Sequence, residues 1–104
     1  MPIRKRWSDF TKTKINSVPE KPGVYELGDA KGEVVDIGSG DSAEGIKARL
    51  LAKKEKRPST VKKFRYKVTP PRQDPLKEEQ KLGENFERKH GKLPRLQKRL
   101  PRKH

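Results

Sequence analysis

Cysteine is absent from this 104-residue sequence, and so is any long run of apolar residues. Without cysteine there is no disulfide, no disulfide-linked partner and no cysteine-based metal site. A membrane-spanning helix needs about 20 consecutive apolar residues, a length that no stretch approaches. The basic start of the chain is not followed by the apolar segment of a secretory signal. We therefore expect a cytoplasmic protein with no membrane partner.

Hydrophobic residues are also few, at 28% of the sequence, while 40% of the residues are charged. This length and composition allow one small core, which predicts a single domain. Abundant Lys, Arg and Glu without Cys is typical of proteins from a thermophile, and ribosomal proteins share that composition. Composition therefore leaves both explanations open.

Positive charge is in large excess, with a formal net charge of +14. The excess is uneven, because residues 47–73 carry eleven Lys or Arg against one Glu, and both ends of the chain are basic. Clusters of this kind attract polyanions and make their binding salt-dependent. The charge pattern of this basic protein predicts a nucleic-acid partner.

The strand pattern predicts a small three-stranded sheet. Residues 24–27 and 33–37 have strand propensity and are separated by a loop from Gly28 to Gly32, which predicts an antiparallel hairpin. Residues 61–68 alternate apolar and basic side chains, as a half-buried strand of the same sheet does. Gly38-Ser39-Gly40 is predicted to break the second strand.

The helix pattern predicts that helices flank this sheet, which gives an α/β (α+β) fold class. Helical spacing of apolar residues predicts one helix near residues 42–54. A second helix is predicted from Asp74-Pro75, a typical helix start, to a stop at Gly91. Ser8 is predicted to cap a short helix before the sheet.

These elements divide the chain into three parts. Residues 1–16 form a basic N-terminal arm with its short helix, residues 17–92 form the domain, and residues 93–104 form a basic tail. In the arm, Trp7 and Phe10 are predicted to pack on the core. Stacking on a nucleobase is the alternative for Trp7.

Four short motifs follow one another along the chain. They are Pro22-Gly23-Val24-Tyr25, Asp36-Ile37-Gly38, Gly45-Ile46-Lys47-Ala48-Arg49-Leu50, and a segment from Glu79 that ends in Pro94-Arg95-Leu96-Gln97. In order and spacing they resemble the GIY-YIG nuclease superfamily over about residues 17–97. The resemblance implies a GIY-YIG-like three-stranded sheet with helices on it and a phosphodiester site. The sequence resembles a degenerate member of this superfamily, because Asp36 stands where the family has a tyrosine.

The resemblance also implies roles for individual residues if the site is active. Tyr25 takes the place of a tyrosine that helps activate the attacking water, and Arg49 that of an arginine that stabilises the scissile phosphate. Glu84 is the first choice and Glu79 the second for the glutamate that holds a divalent ion, Mg²⁺ or Mn²⁺. A protein that only binds nucleic acid would need no cofactor.

Two departures from the family pattern favour binding over cleavage. Asp36 adds a carboxylate where a phosphate must settle, and Gln97 replaces the family's terminal asparagine. We therefore expect a non-catalytic nucleic-acid-binding protein, with RNA preferred because basic arms occur at both ends and no base-reading helix motif is present. Ribosomal RNA is a specific RNA partner that this expectation includes. A metal-dependent endonuclease and a small protein-interaction module remain as alternatives, so enzymatic activity stays open.

The cations expected to contact nucleic acid lie in the two arms and between residues 47 and 67. They are Arg4, Lys5, Arg6, Lys47, Arg49, Lys53, Lys54, Lys62, Lys63, Arg65, Lys67, Arg95, Lys98, Arg99, Arg102 and Lys103. One positive surface that continues into the C-terminal arm is predicted for six of them, Lys53, Lys54, Lys62, Lys63, Arg65 and Lys67.

Overall fold

The computed structural model describes residues 6–41, 45–56 and 60–94. Within these ranges the chain forms four strands and three helices. In chain order they are β1 (Ser8–Asp9), α1 (Lys12–Asn16), β2 (Gly23–Gly28), β3 (Val34–Gly40), α2 (Gly45–Lys56), β4 (Lys63–Val68) and α3 (Pro75–His90). The fold is a compact α+β domain, as the sequence predicts.

The strands form one antiparallel sheet in the order β1-β4-β2-β3. β2 is central and pairs with β3 in the predicted hairpin, where Tyr25 lies opposite Gly38. On its other side, Tyr25 lies opposite Tyr66 of β4. The three predicted strands are confirmed, and the two-residue strand β1 adds a fourth.

The prediction that Ser8 caps the first helix is wrong. Ser8 belongs to β1, where it pairs with Phe64 of β4. The cap of α1 is Thr11, whose hydroxyl accepts a hydrogen bond from the Lys14 N–H. Pairing with β4 keeps both Ser8 and Asp9 in the sheet, so the helix begins only after Thr11.

The Gly38-Ser39-Gly40 segment does not break the second strand, contrary to the prediction. β3 continues to Gly40, which lies opposite Gly23. Glycine is needed here for close approach, because a Cβ on Gly40 would overlap the backbone of Gly45. The glycines thus allow α2 to pack against the end of the sheet.

Two hydrophobic cores lie on opposite faces of the sheet, because successive strand residues point to opposite sides. Tyr25, Leu27 and Phe64 face α1 and α2, where they pack with Ile46 and Leu50. The second core is smaller and consists of Val24, Ile37 and Leu82, with Val34 and Phe86 packed against it. The predicted packing of α2 and α3 on the sheet is confirmed.

Both predicted ends of α3 are confirmed. The Asp74 carboxylate accepts a hydrogen bond from the Leu76 N–H, and Pro75 follows in the first turn. Gly91 ends the helix in the left-handed conformation, with φ of 78°, and its N–H donates to the Glu87 carbonyl. None of the helices in the described ranges has both the length and the apolar character to cross a membrane.

Candidate nucleic-acid interface

Tyr25 is completely buried, with 0% of its surface exposed. Its ring packs in the core on the α2 side of the sheet. The hydroxyl lies against Gly38, where even a Cβ would collide with it. Tyr25 and Gly38 therefore contact each other across the β2–β3 hairpin. This position leaves the phenol no access to solvent.

Asp36 is also buried, at 3% exposed. It lies on β3 opposite Leu27, next to a bulge that inserts Val35 into the strand. One carboxylate oxygen accepts a hydrogen bond from the Ile37 N–H, and the other lies 3.7 Å from the Lys53 ammonium of α2. Asp36 is therefore a buried carboxylate paired with a cation.

Glu79 reaches the same region from α3. Its carboxylate accepts a 2.7 Å hydrogen bond from the Ser39 hydroxyl of β3, and only 9% of the residue is exposed. Burial raises the pKa of the Glu79 carboxyl. The Ser39 hydrogen bond lowers this pKa, the charge of Asp36 raises it, and the cations Arg49 and Lys53 lower it. Five side chains from β3, α2 and α3 thus share one electrostatic environment.

The outer face of α2 is cationic. Arg49, Lys53 and Lys56 recur at helical spacing, so they lie on one side of the helix. Together with Ala52 they line a shallow cavity of about 320 Å³. Arg49 is exposed, whereas Lys53 is held partly inward by Asp36. A cavity lined by three cations can accept an anionic group such as a phosphate.

The central cations do not share one face of the sheet. Lys53 and Lys54 belong to α2, and Lys54 lies 5.5 Å from the centre of the Phe10 ring. Lys67 of β4 lies opposite Val24, which points to the α3 side of the sheet. Lys63 and Arg65 share that side by strand alternation. Lys62 and Arg6 are exposed.

Several of these cations are paired with carboxylates. Lys63 donates to Asp9 at 2.9 Å, and Lys47 lies 3.8 Å from Glu20. Arg65 donates to the buried Glu26 at 2.7 Å and stacks 4.1 Å from the centre of the Trp7 ring. Burial raises the pKa of the Glu26 carboxyl, and Arg65 opposes that shift. Such pairing reduces the charge that β4 offers to a polyanion.

Trp7 packs outside the main core. Its ring lies against Gly28 and Gly32, where a Cβ on Gly28 would come within 3.1 Å of it. Phe10, by contrast, is buried beside Phe64 with the two ring centres 6.0 Å apart. The prediction of core packing therefore holds for Phe10, while Trp7 covers the hairpin next to Arg65.

The two predicted glutamates have different surroundings. Glu84 is exposed on α3, whereas Glu79 is buried beside Ser39. Arg4, Lys5 and the tail positions Arg95, Gln97, Lys98, Arg99, Arg102 and Lys103 lie outside the described residues.

A divalent ion can be tested against these side chains. Mg²⁺ is commonly held by one or two carboxylates together with water and phosphate oxygens. Asp36 and Glu79 are the carboxylates beside β3 that would hold such an ion. When bound, it would supply positive charge for a phosphate group. No group of three or more His, Cys, Asp or Glu side chains suited to a metal occurs among the described residues.

Sequence reasoning missed Ser39 and Lys56. Strand alternation places Ser39 on the same face as Ile37, towards α3, and this spacing was the available indication. The spacing of residues 49, 53 and 56 places Lys56 on the side of Arg49.

Comparison with known proteins identifies a family. Residues 1–88 match the family DUF7508, described as a domain of unknown function. The match covers most of the chain, so the protein belongs to this family. No curated protein and no solved structure gives a significant match.

Proposed function

We propose that this protein binds nucleic acid, RNA in preference to DNA, on a GIY-YIG-like fold and without cutting it. The burial of Tyr25 supports this proposal most directly. A tyrosine that helps activate water must reach the solvent and the substrate phosphate. Tyr25 is 0% exposed and its hydroxyl lies against Gly38, so the phenol does not reach solvent.

The proposed contact surface is the cationic face of α2. Arg49, Lys53 and Lys56 line one cavity, which gives three cations against the two carboxylates of Asp36 and Glu79. The chain's net charge of +14 adds long-range attraction.

RNA is the favoured polymer because basic residues lie at both ends of a small domain, as in proteins that thread basic segments among RNA phosphates. Attachment to a ribosomal subunit is the specific form of this proposal. Co-sedimentation with ribosomes at moderate salt tests it, with release at high salt as the expected result.

Fluorescence anisotropy with labelled single-stranded RNA, double-stranded RNA and DNA of equal length tests the binding itself. The double variant Arg49→Ala, Lys56→Ala should weaken binding and reduce the salt slope for a single strand by about 1.4, since each phosphate contact contributes about 0.7. Lys53 is left unchanged because it pairs with buried Asp36.

A matched control removes the same charge elsewhere. Lys77 and Lys81 are exposed on α3, so the Lys77→Ala, Lys81→Ala variant loses two cations outside the α2 face. Its affinity should fall much less. Equal losses in both variants would contradict a specific surface on α2, and absence of binding at low salt would favour a protein-interaction module.

A metal-dependent endonuclease is the second candidate, favoured by the position of Glu79. Its carboxylate lies under the influence of Arg49, Lys53 and Asp36, which is where a metal glutamate would be needed. Incubation with branched, double-stranded and single-stranded substrates in Mg²⁺ or Mn²⁺ tests it. Cleavage that is lost in both Arg49→Ala and Glu79→Gln, yet kept in Glu84→Gln, would replace the binding-only proposal.

A further inference from the structure

A second cavity, of about 500 Å³, lies between the hairpin and the end of α3. Gly32, Glu33 and Val34 form its hairpin side, and Phe86 and His90 its helix side. Leu93 and the buried Pro94 complete the lining of the cavity. Its volume falls within the range of small-ligand sites, and it is lined by apolar and aromatic groups with a few polar ones, as such sites are.

The helix side of the cavity is a stacked pair of rings. Phe86 and His90 are four residues apart on α3, with ring centres 4.2 Å apart and planes inclined at 35°. Phe86 is half-buried because it also packs against the core of Val24, Ile37 and Leu82. The core therefore holds one ring of the pair in place. A fixed aromatic surface at the wall of a cavity suits a flat ligand with a π face.

The rim of the cavity carries charge suited to a nucleotide. His90 and Lys92 lie on the helix side, next to the exposed cations Arg88 and Lys89. Of these cations, Lys92 lines the cavity and can meet a phosphate there. Glu33 is the one carboxylate among the lining residues, and it can accept hydrogen bonds from the amino group of a base.

This cavity lies on the α3 face of the sheet and the α2 surface on the opposite face, with the edge strand β3 packed against both helices. Ser39 contacts Glu79 at one end of β3, and Val34 packs near Phe86 at the other. His90 lies eleven positions after Glu79 on α3, about 16 Å along the helix axis. A single strand that passes over β3, at the edge of the sheet, would contact both places.

We infer that this cavity takes one unpaired nucleobase of a bound strand, stacked on the Phe86–His90 pair. The inference rests on the proposed nucleic-acid binding and adds base stacking to its phosphate contacts. It accounts for an apolar cavity on the surface of a highly charged chain. Stacking tolerates any base, so the site recognises single-stranded rather than duplex nucleic acid.

The test uses the full chain and a short single-stranded RNA with a central 2-aminopurine, whose fluorescence changes when it stacks. The wild-type protein should quench it, and Phe86→Leu and His90→Ala should each weaken binding by about fivefold or more. Phe86→Leu keeps an apolar side chain in the core, and His90 is exposed, so both variants should fold. Lys81→Ala on α3 is the control variant.

An abasic strand of the same length separates this inference from the proposed function. It should bind more weakly than the RNA, with the same affinity for wild type and both ring variants. The base site is refuted if the RNA and abasic strands bind equally well. The α2 surface still stands in that case if the double variant Arg49→Ala, Lys56→Ala reduces the salt dependence of binding. If that double variant has no effect but quenching persists, the α2 surface fails instead.

Amide shifts at residues 32–35 identify the occupant. These amide shifts should change when the RNA is added and, by less, when AMP is added. A change with AMP would show that a free nucleotide binds the cavity through the same contacts. Shifts that follow protein concentration without RNA would mean that a second copy fills the cavity, and that result would overturn the inference.

Discussion

Tyr25 occupies the space that a side chain on Gly38 would need. The two residues lie opposite each other on β2 and β3, and the tyrosine ring crosses over the glycine. The two motifs that suggest a nuclease are thus joined by packing. Packing in the core can therefore account for the sequence of these two motifs, as a functional site can.

Gly38→Ala should destabilise the fold by about 1–3 kcal/mol, because the added methyl group overlaps the Tyr25 hydroxyl. Urea unfolding followed by circular dichroism measures the loss. Adding Tyr25→Phe should restore little of the stability, because the ring carbons Cζ and Cε2 also overlap the new methyl group. An alanine tolerated without loss would show that the ring can move aside.

Lys53→Ala should cost about 1–3 kcal/mol, because it leaves the buried Asp36 carboxylate without its cation. Lys53 is about a quarter exposed, so solvent limits the effect. The double variant Asp36→Asn, Lys53→Ala should lose less than the sum of the two single variants. Lys56→Ala, on the same face of α2, is the control, and a loss as large as that of Lys53→Ala would contradict a specific pair.

Glu79→Gln should stabilise the protein near neutral pH. The folded-state pKa of Glu79 is raised above 4.5, so the folded state holds more protons and stability falls as pH rises through that pKa. Glutamine can still accept the Ser39 hydrogen bond, but carries no charge to desolvate. The difference in stability between wild type and variant should vanish below about pH 4, where the Glu79 carboxyl is protonated and both side chains are neutral.

Unfolding curves measured across this pH range check the prediction. Glu84→Gln, on the exposed side of α3, serves as the matched control and should show little gain. A gain at neutral pH that persists unchanged in acid would point to a cause other than the charge of Glu79.

Arg65→Met should cost about 3 kcal/mol at neutral pH, because Glu26 is left buried and charged. Without Arg65, the pKa of Glu26 should rise further, since the arginine opposes the effect of burial. The loss should therefore shrink in acid, where Glu26 becomes neutral. Trp7 stacks on Arg65, so its fluorescence should shift as well, and Lys62→Met provides a control with the same change in charge.

Local sequence patterns predict the hairpin and α3 well. Asp74-Pro75 and Gly91 define the ends of α3 through capping, which depends on neighbouring residues alone. β1 could not be predicted in this way, because a two-residue strand exists only through its pairing with β4. Ser8 therefore resembled a helix cap in sequence and became part of the sheet.

The position of the candidate site depends on which face of α3 packs. Counting along the motif favoured Glu84, which the structure places at the surface. Glu79, Leu82 and Phe86 follow helical spacing and share the side that meets the sheet. The spacing of Leu82 and Phe86 indicates which face of α3 is buried. Glu79 lies at the end of that face, but because it is not apolar its residue type does not indicate burial. Only the Ser39 contact identifies it.

β3 lies at one edge of the sheet, so its outer backbone groups could pair with a strand from another chain. Proteins discourage such association with bulges and with charged side chains that point inward at an edge. β3 has both, in the inserted Val35 and the buried Asp36. The buried carboxylate of Asp36 thus serves to protect the chain from edge-to-edge aggregation, an advantage independent of any nucleic acid.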